Sequence, residues 1–183
     1  MLERLIASLE NCPMIMRGDY NYFIHPITDG VPQVDAALLR DVGSAMIKAL
    51  DLDGATMIVV AEAMGIHLGT TLSLMTDIPF TVVRKRKYDL PGEIAIHQTT
   101  GYSKGELYLN GIGPGDRVVI VDDVISTGGT MRALIQAIEK TGAELQDVCV
   151  VFQRGSTDIG RPFKVLLKIE VEKERVRVID RYF

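Results

Sequence analysis

The sequence predicts an α/β fold with a doubly wound, mainly parallel sheet, and three observations carry that expectation. Segments 56–61 and 118–121 are unbroken runs rich in β-branched and apolar residues, which suits strands covered on both faces. Each gives way, after a short glycine-containing turn, to apolar residues at helical spacing. The alternation continues with no internal repeat, low-complexity tract or linker, so the 183 residues, 1–183, read as one domain with a sizeable core.

Taken in order, residues 2–9 read as a short helix. Asp35 stands where it can cap a second helix, in which Leu38, Leu39, Val42, Met46 and Leu50 share one face. The strand over 56–61 leads through Glu62, Ala63, Met64 and Gly65 into a helix over 66–75, and the turn at 77–79 leads into a strand over 80–83. Two short alternating segments, 94–97 and 107–109, flank a polar stretch over 98–105. The glycine-rich turn 111–116 contains proline and precedes a strand, so it is a connection and not a dinucleotide fingerprint. After the strand over 118–121, Met131, Leu134, Ile135 and Ile138 mark a helix that Gly142 can stop. A strand over 148–152 follows, then a terminal pair, 163–171 with 175–179, in which apolar and charged residues alternate near the end.

The formal net charge of −4 and sequence pI of about 5.4 argue against a broad polyanion-binding face, so nucleic acid is not an expected partner. Cys12 and Cys149 lie far apart with no metal-type spacing, the pattern of free thiols in a reducing compartment. The N-terminal residues mix acids with apolar side chains and hold no long apolar run. Neither a signal peptide nor a membrane span is expected, and the expected location is cytoplasmic.

The chemistry concentrates after residues 118–121, where Asp122 and Asp123 are followed by Ser126, Thr127, Gly128, Gly129 and Thr130. Ligands of open α/β sheets bind at the carboxyl ends of the strands. A turn of this composition opening a helix offers backbone N–H groups, hydroxyls and the positive end of a helix dipole, which suits a phosphate. Two adjacent carboxylates are costly to ionise in a closed core, yet beside a ribose they can accept hydrogen bonds from its hydroxyls, directly or through a cation. A phosphorylated sugar satisfies both halves. The turn lacks the G-x-x-x-x-G-K-[ST] of a Walker loop, which disfavours nucleoside triphosphate hydrolysis. The plainer alternative is an acidic βα turn with no ligand.

The run VVIVDDVISTGGT over 118–130 resembles the phosphoribosyl-pyrophosphate (PRPP) motif of type I phosphoribosyltransferases, two acids followed by a serine/threonine–glycine phosphate loop. The resemblance implies that family's fold, with a small hood to which residues 1–34 contribute and a mobile β-arm over 93–110. It implies that Asp122 and Asp123 hold the ribose and that Ser126, Thr127, Gly128, Gly129 and Thr130 hold the 5-phosphate. The implied cofactor is Mg²⁺, carried by PRPP with Asp122 or Asp123 as its protein ligand. By the same resemblance Glu62, Ala63, Met64 and Gly65 receive the pyrophosphate. Adenine-type relatives carry an arginine there, and this chain has Ala63 and Met64, so binding must lean on backbone amides and on charge from elsewhere.

That charge is expected from the segment Arg84, Lys85, Arg86, Lys87, which with Leu90, Pro91, Gly92 and Glu93 resembles the R-K-x-x-K-L-P-G-E segment of adenine phosphoribosyltransferases. Cations aimed at the departing pyrophosphate favour the transition state over the ground state. Arg84, Lys85 and Lys87 are the expected contributors, and Arg84 and Lys87 join the two acids as expected catalytic residues. Alone, the cluster reads as a solvated basic turn. The family shares such residues across subunits, so a homodimer is expected. The stretch 98–105 resembles the arm that closes over the substrate and keeps water from an oxocarbenium-like ribosyl centre. Adenine-specific members place a glutamate before the tyrosine matched by Tyr102, where this chain has Gly101. His97 on the arm is read as a packing or surface residue.

Mammalian-type hypoxanthine–guanine enzymes place an acid where this chain has Ser126, which leaves the general base open between a neighbouring acid, water, and deprotonation in solvent. Those relatives read the purine carbonyl with a lysine on the strand after the PRPP helix. Gln153 and Arg154 lie there, and either could donate to the carbonyl that hypoxanthine, guanine and xanthine have and adenine lacks. Tyr22 and Phe23 are candidates for stacking on the base, with a core role as the alternative. An adenine-type framework without the Glu–Tyr pair most resembles the archaeal hypoxanthine/guanine phosphoribosyltransferases, which implies a purine-salvage enzyme joining a 6-oxopurine to PRPP. Adenine or xanthine specificity and a PRPP-sensing transcription regulator remain alternatives. The last would normally bring a helix-turn-helix, for which no residues are left over, or a large basic face, against which the pI of about 5.4 argues.

Overall fold

The computed structural model describes residues 2–18, 20–99 and 104–183. Its first elements are α1 (Glu3–Glu10), β1 (Met14–Arg17), β2 (Tyr20–Phe23), α2 (Pro26–Asp29) and α3 (Ala36–Ala49). Then come β3 (Met57–Ala61), α4 (Gly65–Thr76), β4 (Phe80–Val83), β5 (Ile94–Thr99) and β6 (Lys104–Leu109). The chain closes with β7 (Arg117–Ile125), α5 (Gly129–Thr141), β8 (Glu144–Arg154), β9 (Lys164–Val171) and β10 (Val176–Arg181). Six strands form one sheet in the order β10-β9-β8-β7-β3-β4, parallel throughout except for β10 at the edge. This is the expected α/β, mainly parallel sheet. Separate antiparallel hairpins are formed by β1 with β2 and by β5 with β6.

The unbroken apolar runs follow from cover on both faces. Val119, Val121, Cys149 and Val151 join one core with Leu38, Val42 and Met46 of α3 and Leu68 and Leu72 of α4. Their neighbours Val118, Ile120, Val148 and Val150 join the other with Met131, Leu134 and Ile138 of α5 and with Ile96, Leu107 and Leu109 of the β5–β6 hairpin. Successive residues serve opposite faces, so neither register can be polar. The helix ends follow local chemistry. Asp35 accepts a hydrogen bond from the Leu38 N–H at 2.8 Å, and Gly142, at φ +80°, ends α5. Close seating of α4 on β3 needs Gly69, where a Cβ would stand 2.7 Å from Val60 Cγ1.

Two strands exceed the length of their apolar runs. In β7 the ladder passes beyond Val121, pairing Asp122 with Val150, Val124 with Phe152 and Ile125 with Gln153. An apolar run reports burial, whereas backbone pairing continues as long as β8 runs alongside. The β1–β2 hairpin and the single turn of α2 were not resolved as elements from the pattern. Both cysteines are free thiols, Cys149 fully buried in β8. No helix among the described residues is long and apolar enough to cross a membrane.

His25 ties the N-terminal elements to the sheet. It caps α2, its Nδ1 accepting from the Ile27 N–H at 3.1 Å, which leaves the proton on Nε2 to bond Ser8 Oγ of α1 at 2.8 Å. The ring meets Phe152 of β8 edge-on at 5.2 Å. Burial lowers the His25 pKa from its ordinary 6.5 to about 4. The unfolded chain therefore takes up a proton at a higher pH than the folded one, and His25's contribution to stability is present above about pH 6.5 and lost as pH falls toward 4. Denaturant unfolding at about pH 7 and about pH 4.5 should show the wild type losing about 2 kcal/mol more than His25→Gln. Equal losses would mean that the folded state accommodates the charged ring.

Candidate active site

The carboxyl ends of β3 and β7 open into a cleft of about 460 Å³. Glu62, Ala63 and Met64 come from the β3–α4 turn, Lys85 from the segment after β4, and Asp122 and Asp123 from β7. Ser126, Thr127, Gly128, Gly129 and Thr130 complete it from the turn into α5, with Tyr22 of β2 and Leu107 of β6 contributing apolar surface. Segments far apart in the chain thus meet at one place.

Asp122 and Asp123 sit half-buried on the extended end of β7, and the Asp123 N–H donates to Asp122 Oδ1 at 3.0 Å. Burial raises the pKa of both carboxyls, and Asp123 goes well above the usual range because the Asp122 charge adds to it. Such a pair gains from any ligand that brings hydroxyl donors or positive charge. Just beyond, Gly128 adopts φ +74° and no side chain caps α5, so the first turn presents N–H groups and the helix's positive end to the cleft. The turn is braced from behind. The Thr157 hydroxyl donates to the Ser126 carbonyl, and Arg132 Nη1 to the Asp158 carbonyl.

Glu62 has a role that the sequence did not disclose. Its carboxylate accepts from the Lys85 N–H at 2.6 Å and lies 2.8 Å from Arg84 Nε, so it fastens the basic segment to the β3–α4 turn instead of facing an anion. The Glu62–Ala63 peptide is cis. The backbone of Arg84 exchanges hydrogen bonds with that of Tyr108 at 3.0 and 2.7 Å, which joins the β5–β6 hairpin to the end of β4. Glu93 organises the rest, accepting from the Tyr88 and Asp89 N–H groups at 3.0 and 3.1 Å and from the Asn110 amide at 3.0 Å. Lys87 pairs with Asp89 on the exposed side, so Lys85 is the member of the basic segment that lines the cleft. The signal missed was the pair of acids, Glu62 and Glu93, that frame the cations.

The expected base-reading residues separate. Phe23 is 6% exposed and packs edge-on against Phe152 at 6.1 Å, so it belongs to the core, and its neighbour Tyr22 is the aromatic at the cleft. Gln153 is buried and opens toward a different cavity. Arg154, on the other register of β8, donates from Nη1 to the Asn21 carbonyl at 3.2 Å and so reaches the hairpin beside Tyr22. His97 is exposed, 3.4 Å from Glu106. Gly101 and Tyr102, with residues 100 and 103, lie outside the described residues. The cleft can therefore hold a ligand with a phosphate at one end, vicinal hydroxyls in the middle and a second anionic group near Lys85.

Known proteins share this chain's sequence and fold. Residues 33–179 match the family described as the phosphoribosyl transferase domain. The chain is similar to the hypoxanthine/guanine phosphoribosyltransferase of Methanosphaerula palustris, 67% identical over 182 residues covering 100% of both chains. It is likewise similar to the hypoxanthine/guanine phosphoribosyltransferase of Methanocaldococcus jannaschii, at 55% identity over 96% of this chain and 99% of that one. Among solved structures it is similar to adenine phosphoribosyltransferase from Rhodothermus marinus, with TM-score 0.73 and 26% identity over 91% of this chain and 97% of that one.

The conformation of Gly128 supplies a direct check on the turn. A Cβ there would stand 2.7 Å from Thr157 Cγ2 and 3.0 Å from Arg132 Nη1, at a φ that side chains rarely adopt. Gly128→Ala is expected to cost about 1–3 kcal/mol in denaturant unfolding. Wild-type stability would contradict the geometry of the turn.

Proposed function

The chain belongs to the phosphoribosyl transferase family, and from that premise we propose that it is a purine-salvage enzyme joining hypoxanthine or guanine to PRPP, giving IMP or GMP and pyrophosphate. The observation that carries this reading is the meeting of Asp122, Asp123, the 126–130 turn and Lys85 in one cleft. The names of the full-length relatives support the choice of a 6-oxopurine.

In this reading Asp122 and Asp123 accept the ribose hydroxyls while the N–H groups and hydroxyls of 126–130 hold the 5-phosphate. The pyrophosphate rests against the backbone of Ala63, Met64 and Gly65. As its bond to the ribose lengthens, Lys85 and the Glu62-held Arg84 meet the growing charge. Lys87 joins them by exchanging Asp89 for the ligand, in its own subunit or across a homodimer. Mg²⁺ fits this donor set, because two carboxylates at the cleft suit a hard cation held mainly through substrate oxygens. Bound, it would neutralise charge on the pyrophosphate. Ser126 is a poor proton acceptor. Asp123, whose carboxyl is pushed up by burial and by the Asp122 charge, is the acid proposed to take the purine proton.

Arg154 is the residue proposed to read the base. Its guanidinium already meets the hairpin beside Tyr22, where it could donate to a purine 6-carbonyl, while Tyr22 stacks on the ring. A donor aimed at that position disfavours the 6-amino group of adenine. The free thiols fit a cytoplasmic enzyme. Offering hypoxanthine, guanine, xanthine and adenine separately with PRPP and Mg²⁺ tests the reading, with turnover expected for the first two and not for adenine. Arg154→Ala should raise KM for those bases about 10–100-fold while leaving KM for PRPP near wild type. Binding of PRPP without turnover of any base would point to a regulator.

A further inference from the structure

A second cavity, about 820 Å³, lies among β9, β10 and the loop joining β8 to β9, and the reaction above uses none of it. One side of its lining is cationic. Arg161, Lys168 and Arg181 line it with one acid, Asp180, which already accepts from Lys168 Nζ at 2.9 Å, while the Arg181 charge also acts on Glu3 of α1. Arg161 donates from Nη2 to the Gln146 carbonyl at 3.2 Å, yet its Nε is buried with no hydrogen-bond partner. The other side is apolar and aromatic, from Phe163, Ile179 and Tyr182, and buried Gln153 on the same lining offers both a donor and an acceptor. In a chain whose net charge is −4, three cations beside an aromatic wall describe a ligand that is anionic at one end and flat at the other.

The cavity also touches the phosphate turn. Thr157, part of its lining, donates to the Ser126 carbonyl, and the side chains of Thr157 and Ile159 stand 2.7 and 3.1 Å from where a Cβ on Gly128 would lie. We propose that this cavity is a second ligand site, taking a nucleoside monophosphate, and that occupancy is felt at the 126–130 turn through Thr157. The phosphate meets Arg161, Lys168 and Arg181, the base lies against Phe163 and Tyr182, and Gln153 bonds the base edge. The site stands on its own residues, while its effect on turnover rests on reading 126–130 as the 5-phosphate turn.

Equilibrium dialysis of labelled GMP against the full chain, with and without saturating PRPP and Mg²⁺, separates the two sites. The wild type should bind two GMP per chain without PRPP and retain one with it. Lys168→Glu with Arg181→Glu should weaken the PRPP-resistant site at least about tenfold, with turnover at low GMP and molar mass by light scattering unchanged. The proposal fails if no GMP resists PRPP, if the resistant GMP ignores the double substitution, or if equal inorganic phosphate displaces it, which would mark a bare anion site. It also fails if the double substitution alters molar mass, which would mark a subunit interface. If the double substitution removes one GMP but PRPP displaces neither, the second site stands and the reading of the catalytic cleft falls.

Discussion

Two adjacent carboxylates carried on the end of a central, buried strand are the constraint around which this structure is arranged. The β7–β8 ladder runs on past its apolar stretch and delivers Asp122 and Asp123 to the mouth of the sheet, where burial holds both carboxyls above their ordinary pKa and the Asp122 charge pushes Asp123 further. The fold alone would be more comfortable with neutral side chains there. Such a pair gains from a ligand that brings hydroxyl donors or positive charge, and in the proposed function the surrounding turns supply the remaining contacts that a phosphorylated sugar needs. A helix opening at Gly128 presents N–H groups on one side, and the β3–α4 turn with Lys85 stands on the other.

Charge is organised in the opposite sense outside that pair. The basic segment after β4 does not simply project into solvent. Glu62 grips Arg84 and the Lys85 backbone, Glu93 gathers the turn that follows, and Arg84 in turn fixes the β5–β6 hairpin through Tyr108. The acids do not neutralise the basic segment so much as place it, since Lys85 still lines the cavity. Fixed charge of this kind needs little reorganisation when a polyanion departs, which is the form of electrostatic stabilisation that proteins use most effectively.

The parallel core was legible because both faces of β3, β7 and β8 are covered, which forces unbroken apolar runs that no loop would carry. The 118–130 run was legible because paired acids and a doubled glycine have few purposes at a strand-to-helix turn. Other features depend on pairing at long range. The Glu62–Lys85 contact spans 23 positions, and nothing in either segment announces the other. Adjacent residues on a strand face opposite ways, so choosing between Tyr22 and Phe23, or between Gln153 and Arg154, needs the register of β2 and β8. The sequence narrowed each choice to a neighbouring pair, and the register separates its members.

Calorimetric titration with PRPP in the presence of Mg²⁺, comparing the wild type with the Asp122→Asn, Asp123→Asn double variant, tests the central claim most directly. If the carboxylates hold the ribose, the double variant should bind at least about 100-fold more weakly, the loss of two or more charge-assisted hydrogen bonds, while unfolding at no lower a temperature than the wild type because a buried like-charge pair has been removed. Wild-type affinity in that variant would contradict the account, since the constraint on which the cleft is built would then have no ligand to answer it.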